Sequence, residues 1–329
     1  MAPRPIVFLP PRQPAGLFCF PPMIVDAHLH LWNRVAGRIG GGRVPVRARG
    51  NGRITMGRKL MLGMPATFVD GLARAEMAVA EFDAAGVDTG VVVQEFIDGE
   101  QNDYLREAAR RFPGRFFMHG LPNWYQPRQA VREALALLGA GFRGLKLPAQ
   151  HLPKNLPLDL PAFFPIYDAL ASTDAVLAVD LAAGDAQSAQ LAAVLQRWPK
   201  LRVAIGHLGL VTRGDWFSQI LLCRNENVFV ETGGVVWLFR AEGYPFPGAA
   251  EAIRLAAKRI GFEKIMWGSD WPRTMVDFTY RQSLDWLRVY DHGFTPSQKA
   301  LLLGENATRL YRLPAPRRAR EPVALITEG

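Results

Sequence analysis

Two histidines separated by a single residue, His28 and His30, are the most informative feature of this chain. The apolar residues Ile24 and Val25 precede them, which predicts a buried β-strand that leads up to the histidines. Side chains two residues apart on a strand point to the same face of a sheet. The two imidazoles can therefore hold one metal ion or polarise one substrate carbonyl.

A strand that carries such a pair needs neighbours, and the chain contains eight short apolar segments that alternate with segments of helical periodicity. Most of the eight are near-continuous runs of Val, Ile, Leu and Phe, which is typical of strands buried on both faces of a parallel sheet. No Gly-x-Gly-x-x-Gly follows the first strand, which disfavours a doubly wound open sheet. We therefore predict an α/β fold, a (β/α)₈ TIM barrel. The predicted strands are Ile24–Ala27, Gly90–Glu95, Phe116–Leu121, Phe142–Leu147, Val176–Val179, Val203–Ile205, Val228–Glu231 and Ile265–Trp267.

The barrel is expected to occupy residues 23–312 as a single domain. Prolines interrupt the apolar runs of residues 1–22, which predicts a loosely ordered N-terminal arm, or a true start at Met23. Residues 313–329 are expected to form a flexible C-terminal tail. Residues 37–65 are rich in Gly and Arg and predict a long basic loop after the first strand, on the active-site face of the barrel.

The chain has a formal net charge of +9, and residues 33–69 contain no Asp or Glu. This segment lacks the interleaved aromatic residues of a base-stacking surface, so we expect a small-molecule substrate and no nucleic acid. No apolar run approaches the roughly 20 residues of a membrane helix, so we expect no membrane partner. Two cysteines, Cys19 and Cys223, argue against a disulfide framework and favour a cytoplasmic protein, either a monomer or a homo-oligomer.

Polar residues also follow other predicted strands, where a barrel places its chemistry. His207 follows the sixth strand and lies between Gly206 and Gly209, which leave room for close approach of a ligand. Asp270 follows the eighth strand and is interpreted as a metal ligand and proton acceptor, with a turn residue as the alternative. His119 on the third strand suits packing and function equally. Further candidates at strand ends are Lys146, His151 and Asp180.

Four segments, in this order, resemble the amidohydrolase-2 branch of the amidohydrolase superfamily, which includes lactonases and decarboxylases. The combination of a His-x-His with a Gly-Ser-Asp-Trp-Pro is specific, whereas either half alone is a weak signal. The resemblance covers residues 23–311. Its segments are Asp26–His30, Gly144–Leu147, Gly206–Gly209 and Gly268–Pro272.

The resemblance implies a divalent metal ion, expected to be zinc, on His28, His30 and Asp270, with His207 as the sixth-strand histidine. Members with a full metal site usually carry a histidine at the end of the fifth strand, where this chain has Asp180. An aspartate can bind zinc through oxygen, so Asp180 is a further candidate ligand. The alternatives are a weakly bound metal, a different metal or none, because the branch also includes lactonases thought to work without one.

We expect hydrolysis of a small anionic substrate, with a lactone as the leading candidate. Asp270 would activate a water molecule and pass its proton to the leaving oxygen, while His207 holds the carbonyl oxygen. Lys146 and Arg273 are expected to bind a substrate carboxylate, Arg273 in the bidentate geometry that a guanidinium allows. Further candidates for the substrate pocket are Trp271, Trp32 and His151.

Two alternatives stay open on the sequence. The first is a metal-dependent, non-oxidative decarboxylase in the same barrel, in which Asp270 protonates or deprotonates carbon. The second is a barrel that has lost its metal site and only binds a ligand, and Asp180 in place of the fifth-strand histidine is its sole support. Release of carbon dioxide, as opposed to a ring-opened acid, separates the first alternative from a lactonase.

Overall fold

The computed structural model describes residues 23–315, which form a parallel barrel with an antiparallel sheet inserted after the first strand. The strands are β1 (Val25–His30), β2 (Arg38–Ile39), β3 (Val44–Ala48), β4 (Arg53–Met56), β5 (Lys59–Leu62), β6 (Thr89–Val93), β7 (Phe116–Gly120), β8 (Gly144–Leu147), β9 (Val176–Val179), β10 (Arg202–Ile205), β11 (Val228–Glu231) and β12 (Ile265–Met266). The barrel strands β1 and β6 to β12 are hydrogen-bonded in chain order. The predicted TIM barrel and the positions of its eight strands are confirmed.

Helices follow the barrel strands and pack on their outer side. They are α1 (Ala75–Ala85), α2 (Asn102–Arg111), α3 (Pro127–Gly139), α4 (Phe164–Ser172), α5 (Ala186–Arg197), α6 (Trp216–Leu221), α7 (Val235–Leu238), α8 (Pro247–Ile260), α9 (Tyr280–Arg288), α10 (Pro296–Ala300) and α11 (Asn306–Tyr311), the last two joined by a π-helical turn. Two of them begin after a threonine whose hydroxyl accepts a backbone N–H of the first turn, as at Thr295.

The barrel closes through the segment that follows β12. Ala27 N donates to Trp267 O at 2.9 Å, and His30 N donates to Trp271 O at 2.8 Å. In return, Asp270 N donates to His28 O at 2.8 Å. The first strand therefore forms a seam with residues 267–271, and this seam brings the two ends of the barrel sequence together.

A bulge in β1 decides which way its histidines face. Asp26 pairs with Gly90 and Leu29 pairs with Val92, so β1 advances three residues while β6 advances two. An extra residue reverses the alternation of side chains beyond it. Val25 and Ala27 therefore belong to the barrel interior, His28 and His30 follow on the same side, and Leu29 packs in the outer layer.

The interior of the barrel is apolar at its N-terminal end. Inward side chains of the strands pack there, and α11 covers them with Ala307, Leu310 and Tyr311. This end of the interior is filled by side chains, and barrel enzymes carry out chemistry at the opposite end, where the strands have their C-termini. The inward residues of this cluster are Val25, Ala27, Val91, Phe117, Val176, Ala204, Phe229 and Met266.

The basic insertion lies where it was predicted, but its description as a loop was wrong. Residues 38–62 form the four-stranded antiparallel sheet β2 to β5. Asn51 and Gly52 both have positive φ and turn β3 into β4, which is the Asn-Gly hairpin signal. Val46 and Ile54 are its buried strand residues, so the hydrophobic pattern of the segment is too sparse to reveal the strands. Asn51 N and Gly52 N donate to the carbonyls of Val69 and Phe68, and the helix after the insertion begins at Ala75.

The predicted N-terminal arm, residues 1–22, lies outside the described residues, as do residues 316–329 of the predicted tail. Residues 313–315, the start of that tail, have no regular secondary structure. Within residues 23–315, none of the helices combines the length and the apolarity needed to cross a bilayer.

The buried Asp26 carboxylate ties the seam to α9. It accepts hydrogen bonds from the backbone N–H of His28, from the N–H and hydroxyl of Ser269, and from the Tyr280 hydroxyl at 2.9 Å. Burial raises the pKa of Asp26 to about 7, although these donors act in the opposite direction.

We expect Tyr280→Phe to lower the free energy of unfolding by about 1–2 kcal/mol at pH 8, because the buried carboxylate loses a donor. Urea unfolding followed by tryptophan fluorescence measures this change. Tyr290→Phe is the matched control, since Tyr290 is 41% exposed, and it should stay within about 0.5 kcal/mol of the parent chain. Equal effects of the two substitutions would contradict a structural role for the Asp26 cluster.

Candidate active site

Three ligand-type atoms converge at the mouth of the barrel. His28 Nε2 lies 3.2 Å from His30 Nε2, which in turn lies 2.9 Å from Asp270 Oδ1. Asp270 Oδ1 is also 3.8 Å from His28 Nε2. All three side chains are buried. Nitrogen and oxygen atoms spaced in this way can hold a single metal ion.

Carboxylates behind the histidines orient their rings. His28 Nδ1 donates to Glu231 Oε1 at 2.7 Å, because a carboxylate can only accept, and this leaves the Nε2 lone pair facing Asp270. His30 Nδ1 lies 3.7 Å from Asp98 Oδ2, and both atoms are buried without a hydrogen-bond partner among the described residues. In this structure His30 Nε2 donates its proton to Asp270 Oδ1, whereas to bind a metal ion His30 would carry its proton on Nδ1, toward Asp98, and present an Nε2 lone pair. Such backing of metal-binding histidines by carboxylates is common in metal sites.

Asp270 is held in place by backbone and side-chain contacts. Its φ of 57° lies in the left-handed region, which costs a non-glycine residue of the order of 1 kcal/mol. Trp237 on α7 donates its indole N–H to Oδ2 at 2.8 Å. Burial would raise the pKa of Asp270, but the hydrogen bond from His30 and the nearby imidazoles hold it well below its usual range. Asp270 is therefore ionised and can accept a proton.

His207 lies beside this group with its backbone also in the left-handed region, at φ 56°. Its Nδ1 bonds to Gly233 O at 2.8 Å, and its ring centroid is 4.8 Å from that of His28. Burial lowers the pKa of His207, but the Asp180, Asp270 and Glu231 carboxylates outweigh it and raise the pKa to about 10. A protonated Nε2 can donate to a carbonyl oxygen.

The residue before it, Gly206, has to be a glycine because a Cβ there would lie 2.0 Å from Asp180 Oδ1. The room that the glycines were predicted to leave is thus taken by the Asp180 carboxylate. His207 Nε2 lies 3.7 Å from Asp180 Oδ2. Asp180 does not join His28, His30 and Asp270; it forms a second group of potential ligands with His28 and His207.

The main partner of Asp180 is Lys146. Lys146 Nζ lies 2.6 Å from Asp180 Oδ2 and 4.0 Å from Glu95 Oε1, and all three side chains are buried. Burial lowers the pKa of Lys146, but the two carboxylates outweigh it, so the pKa is raised and the lysine stays charged. The charge expected to bind a substrate carboxylate is already compensated within the protein.

Arg273 is also paired. Its guanidinium forms an ion pair with Asp98 and stacks over the ring of Trp32, with 5.5 Å between Cζ and the ring centroid. Trp32 and Trp271 are fully buried, and Trp32 donates its indole N–H to Gly71 O at 3.0 Å. Both tryptophans therefore stand behind the site and pack its wall.

His151 lies at the outer edge of the site, on the turn after β8. Its side chain is 20% exposed, and its Nε2 is 3.4 Å from Glu95 Oε2. His119, in contrast, lies in the barrel interior, where Nδ1 bonds to Val92 O and the ring packs against Phe117. Burial lowers the pKa of His119 to about 3, so this histidine is a neutral packing residue.

The comparison with protein families identifies the chain. A family model described as "Amidohydrolase" matches residues 25–313. The chain belongs to the amidohydrolase family. The match covers the whole barrel, from β1 through α11, and so includes every strand end that contributes to the site described above.

Proteins similar to this amidohydrolase include a lactonase, a hydrolase and a decarboxylase. A curated L-fucono-1,5-lactonase from Burkholderia ambifaria is 26% identical over 252 residues, which are 70% of this chain and 82% of that protein. A solved structure of a probable 2-pyrone-4,6-dicarboxylic acid hydrolase from Acinetobacter baumannii, with bound citric acid, has a TM-score of 0.66, 20% identity, and coverage of 88% of this chain and 99% of that one.

A 5-carboxyvanillate decarboxylase from Novosphingobium aromaticivorans, solved with manganese, is also similar in structure. Its TM-score is 0.54 at 19% identity, with 75% of this chain and 84% of that one covered. At such identities the two solved structures establish the shared barrel. The lactonase resembles this amidohydrolase in sequence over most of its length.

Sequence reasoning left four residues of this amidohydrolase site without a role. Glu231 and Glu95 were visible as acidic residues at strand ends, although no partner for them could be named. Trp237 lies on a short helix that was not predicted, and Asp98 lies in the loop after β6. Their partners, His28, His151, Asp270 and Arg273, are far away in sequence.

We expect Lys146→Met to lower the free energy of unfolding by about 3–5 kcal/mol, because the buried Asp180 carboxylate loses its nearest cation. In urea unfolding, the double variant Lys146→Met/Asp180→Leu should lose less than the sum of its single variants. Arg281→Met removes one member of an exposed pair with Asp285 and should cost less than about 1 kcal/mol. A Lys146→Met effect no larger than this control would contradict the buried network.

Proposed function

We propose that this amidohydrolase hydrolyses a lactone. The observation that carries the proposal is an ionised, buried Asp270 whose Oδ1 faces the Nε2 atoms of His28 and His30 at the C-terminal end of the barrel. This arrangement offers a proton acceptor beside groups that can polarise a carbonyl. The curated lactonase with 26% identity supports a lactone as the substrate.

The chain's own residues can carry out the proton transfers of ring opening. Asp270 Oδ1 takes a proton from the attacking water, and Trp237 fixes the carboxylate through its other oxygen. His207, protonated and beside His28, donates a hydrogen bond to the carbonyl oxygen as negative charge develops there. Asp270 then returns the proton to the ring oxygen as the ester bond breaks, which yields a hydroxy acid.

We further propose that His28, His30 and Asp270 hold a divalent metal ion. The fit rests on three converging atoms, on Glu231 behind His28, and on the unpartnered His30 Nδ1 and Asp98 Oδ2. Such an ion supplies Lewis acidity toward the lactone carbonyl and the attacking water. Zinc suits two imidazoles and a carboxylate. Asp180 is left out of the ligand set because it compensates Lys146.

A decarboxylase remains the second candidate function, supported by the similar barrel of the 5-carboxyvanillate decarboxylase. It needs a substrate carboxylate, and Lys146 and Arg273 are both engaged by protein carboxylates. The sequence similarity to the curated lactonase favours lactone hydrolysis. The low cysteine count, with Cys223 buried, is consistent with a reducing compartment such as the cytoplasm.

We expect Asp270→Asn to reduce lactone hydrolysis by about 10³-fold or more, because the amide cannot accept the water proton. A lactone panel assayed by acid release, with circular dichroism to verify folding, measures this effect. Asp277→Asn is the control, since Asp277 pairs with Arg240 near the surface, and it should retain the parent rate. Full activity of a folded Asp270→Asn variant would refute the mechanism, and carbon dioxide release by the parent chain would favour the decarboxylase.

We expect the purified chain to retain about one divalent ion per molecule after equilibrium dialysis against zinc and washing. His30→Asn should lose most of that metal, whereas His292→Asn, which changes a histidine outside the barrel mouth, should keep it. Parallel dialysis against manganese tests whether zinc is preferred. Metal analysis reads out binding without any activity assay, and equal metal contents in the two histidine variants would contradict the assigned ligands.

A further inference from the structure

Glu95 and Asp180 form a pair of buried carboxyl groups that the proposed reaction does not use. Glu95 follows β6 and is 5% exposed, and Asp180 follows β9 and is 2% exposed. Their carboxyl groups are hydrogen-bonded to each other. Two ionised carboxylates can only accept hydrogen bonds, so a bond between them requires one proton. The pair therefore consists of one carboxylic acid and one carboxylate.

The surrounding charges decide which of the two residues keeps the proton. Asp180 Oδ2 lies between two cations, Lys146 Nζ at 2.6 Å and His207 Nε2 at 3.7 Å. Burial raises the pKa of Asp180, but these cations outweigh it and hold the pKa well below its usual range. Burial and the negative charge of Asp180 raise the pKa of Glu95, although the hydrogen bond from His151 acts in the opposite direction. The proton therefore belongs to Glu95.

Asp180 in turn lies against the segment that carries His207. Gly206 passes so close to it that a Cβ on this glycine would lie 2.0 Å from Asp180 Oδ1. His207 has a left-handed backbone, as have Leu208 and Leu210. This conformation is strained for residues other than glycine and persists only where surrounding contacts hold it. A displaced Asp180 would therefore change the direction in which the His207 ring points.

We infer, on the basis of the proposed lactone hydrolysis, that Glu95 is a neutral carboxylic acid that donates to Asp180 and so positions His207 toward the lactone carbonyl. A neutral donor suits this place because Lys146 already compensates the single negative charge of Asp180. An ionised Glu95 would add a second buried negative charge and repel Asp180. Because Glu95 acts through Asp180, it is a positioning residue and not a catalytic one.

His151 covers the acid pair on its solvent side. Its side chain is 20% exposed, and its Nε2 lies 3.4 Å from Glu95 Oε2. The buried Phe96 packs beside it, with 6.4 Å between the two ring centroids. The two rings keep water away from Glu95, and removal from water favours the neutral form of a carboxyl group.

The protonation state of Glu95 has a direct spectroscopic test. A carboxylic acid gives an infrared carbonyl band that is distinct from the bands of a carboxylate. We expect the difference spectrum between the unaltered chain and Glu95→Gln at neutral pH to contain one such acid band. The difference spectrum for Glu100→Gln, which changes an exposed glutamate, should contain none. Absence of the acid band from the Glu95→Gln difference spectrum overturns the inference, whether or not the protein hydrolyses lactones.

Kinetics separate positioning from substrate binding. The substrate is whichever of L-fucono-1,5-lactone, D-glucono-1,5-lactone and δ-valerolactone the unaltered chain hydrolyses fastest. Glu95→Met removes the donor to Asp180 and should lower kcat by about 10-fold or more, with KM within about threefold, because His207 is misplaced. Glu95→Gln should keep kcat within about threefold of the unaltered chain, since its amide N–H can donate to Asp180 as the acid does.

Glu100→Met is the matched control, because it makes the same change at an exposed position, and it should alter neither constant. A fall in kcat as large in Glu95→Gln as in Glu95→Met overturns the inference, because it indicates that an ionised carboxylate is needed. Unchanged kcat in Glu95→Met overturns the positioning role, and so does a rise in KM alone, which indicates direct contact with the substrate. If Glu95→Met does not fold, the infrared band and the kinetics of Glu95→Gln decide. Failure to hydrolyse any lactone overturns the proposed function, and the infrared band then still decides whether Glu95 is neutral.

Discussion

The site depends on the seam between the first strand and residues 267–271. The backbone bond from Asp270 N to His28 O places the eighth-strand carboxylate beside the first-strand histidines. The bulge in β1 then turns both histidines toward the interior. Asp26 reinforces the same seam through Ser269 and Tyr280. Loss of this alignment would separate the atoms that the chemistry needs, even if every strand of the barrel persisted.

Charge compensation is the second constraint on the molecule. The C-terminal end of the barrel contains more buried carboxylates than are needed to orient the imidazoles of His28 and His30. Lys146 and Arg273 each neutralise one of them, which stabilises the buried cluster and removes both cations from substrate binding. Glu95 lies in the same cluster, near Lys146 and His151. Most polar groups of the site are thereby engaged with one another.

Most of the fold could be predicted from the sequence, because strands buried on both faces form continuous apolar runs whose number and spacing define a barrel. All eight strands were found in this way. The antiparallel insertion was missed, since its short strands are largely exposed and bury little apolar surface, as Val46 and Ile54 show. The Asn51-Gly52 turn and the glycine that opens the Gly57-Arg58 turn were its local signals.

The residue types at the strand ends were determined by the sequence alone, and so was their convergence, because parallel barrel strands all end on one face. Which of these residues meet was decided only by the tertiary structure. The two-residue spacing places His28 and His30 on one face of the strand with or without the bulge. The bulge decides that this face points into the barrel. Likewise, Asp180 lies beside Lys146 and groups with His28 and His207 and not with His30 and Asp270. Such choices depend on distances of a few ångströms between residues far apart in the chain, and no local pattern encodes those distances.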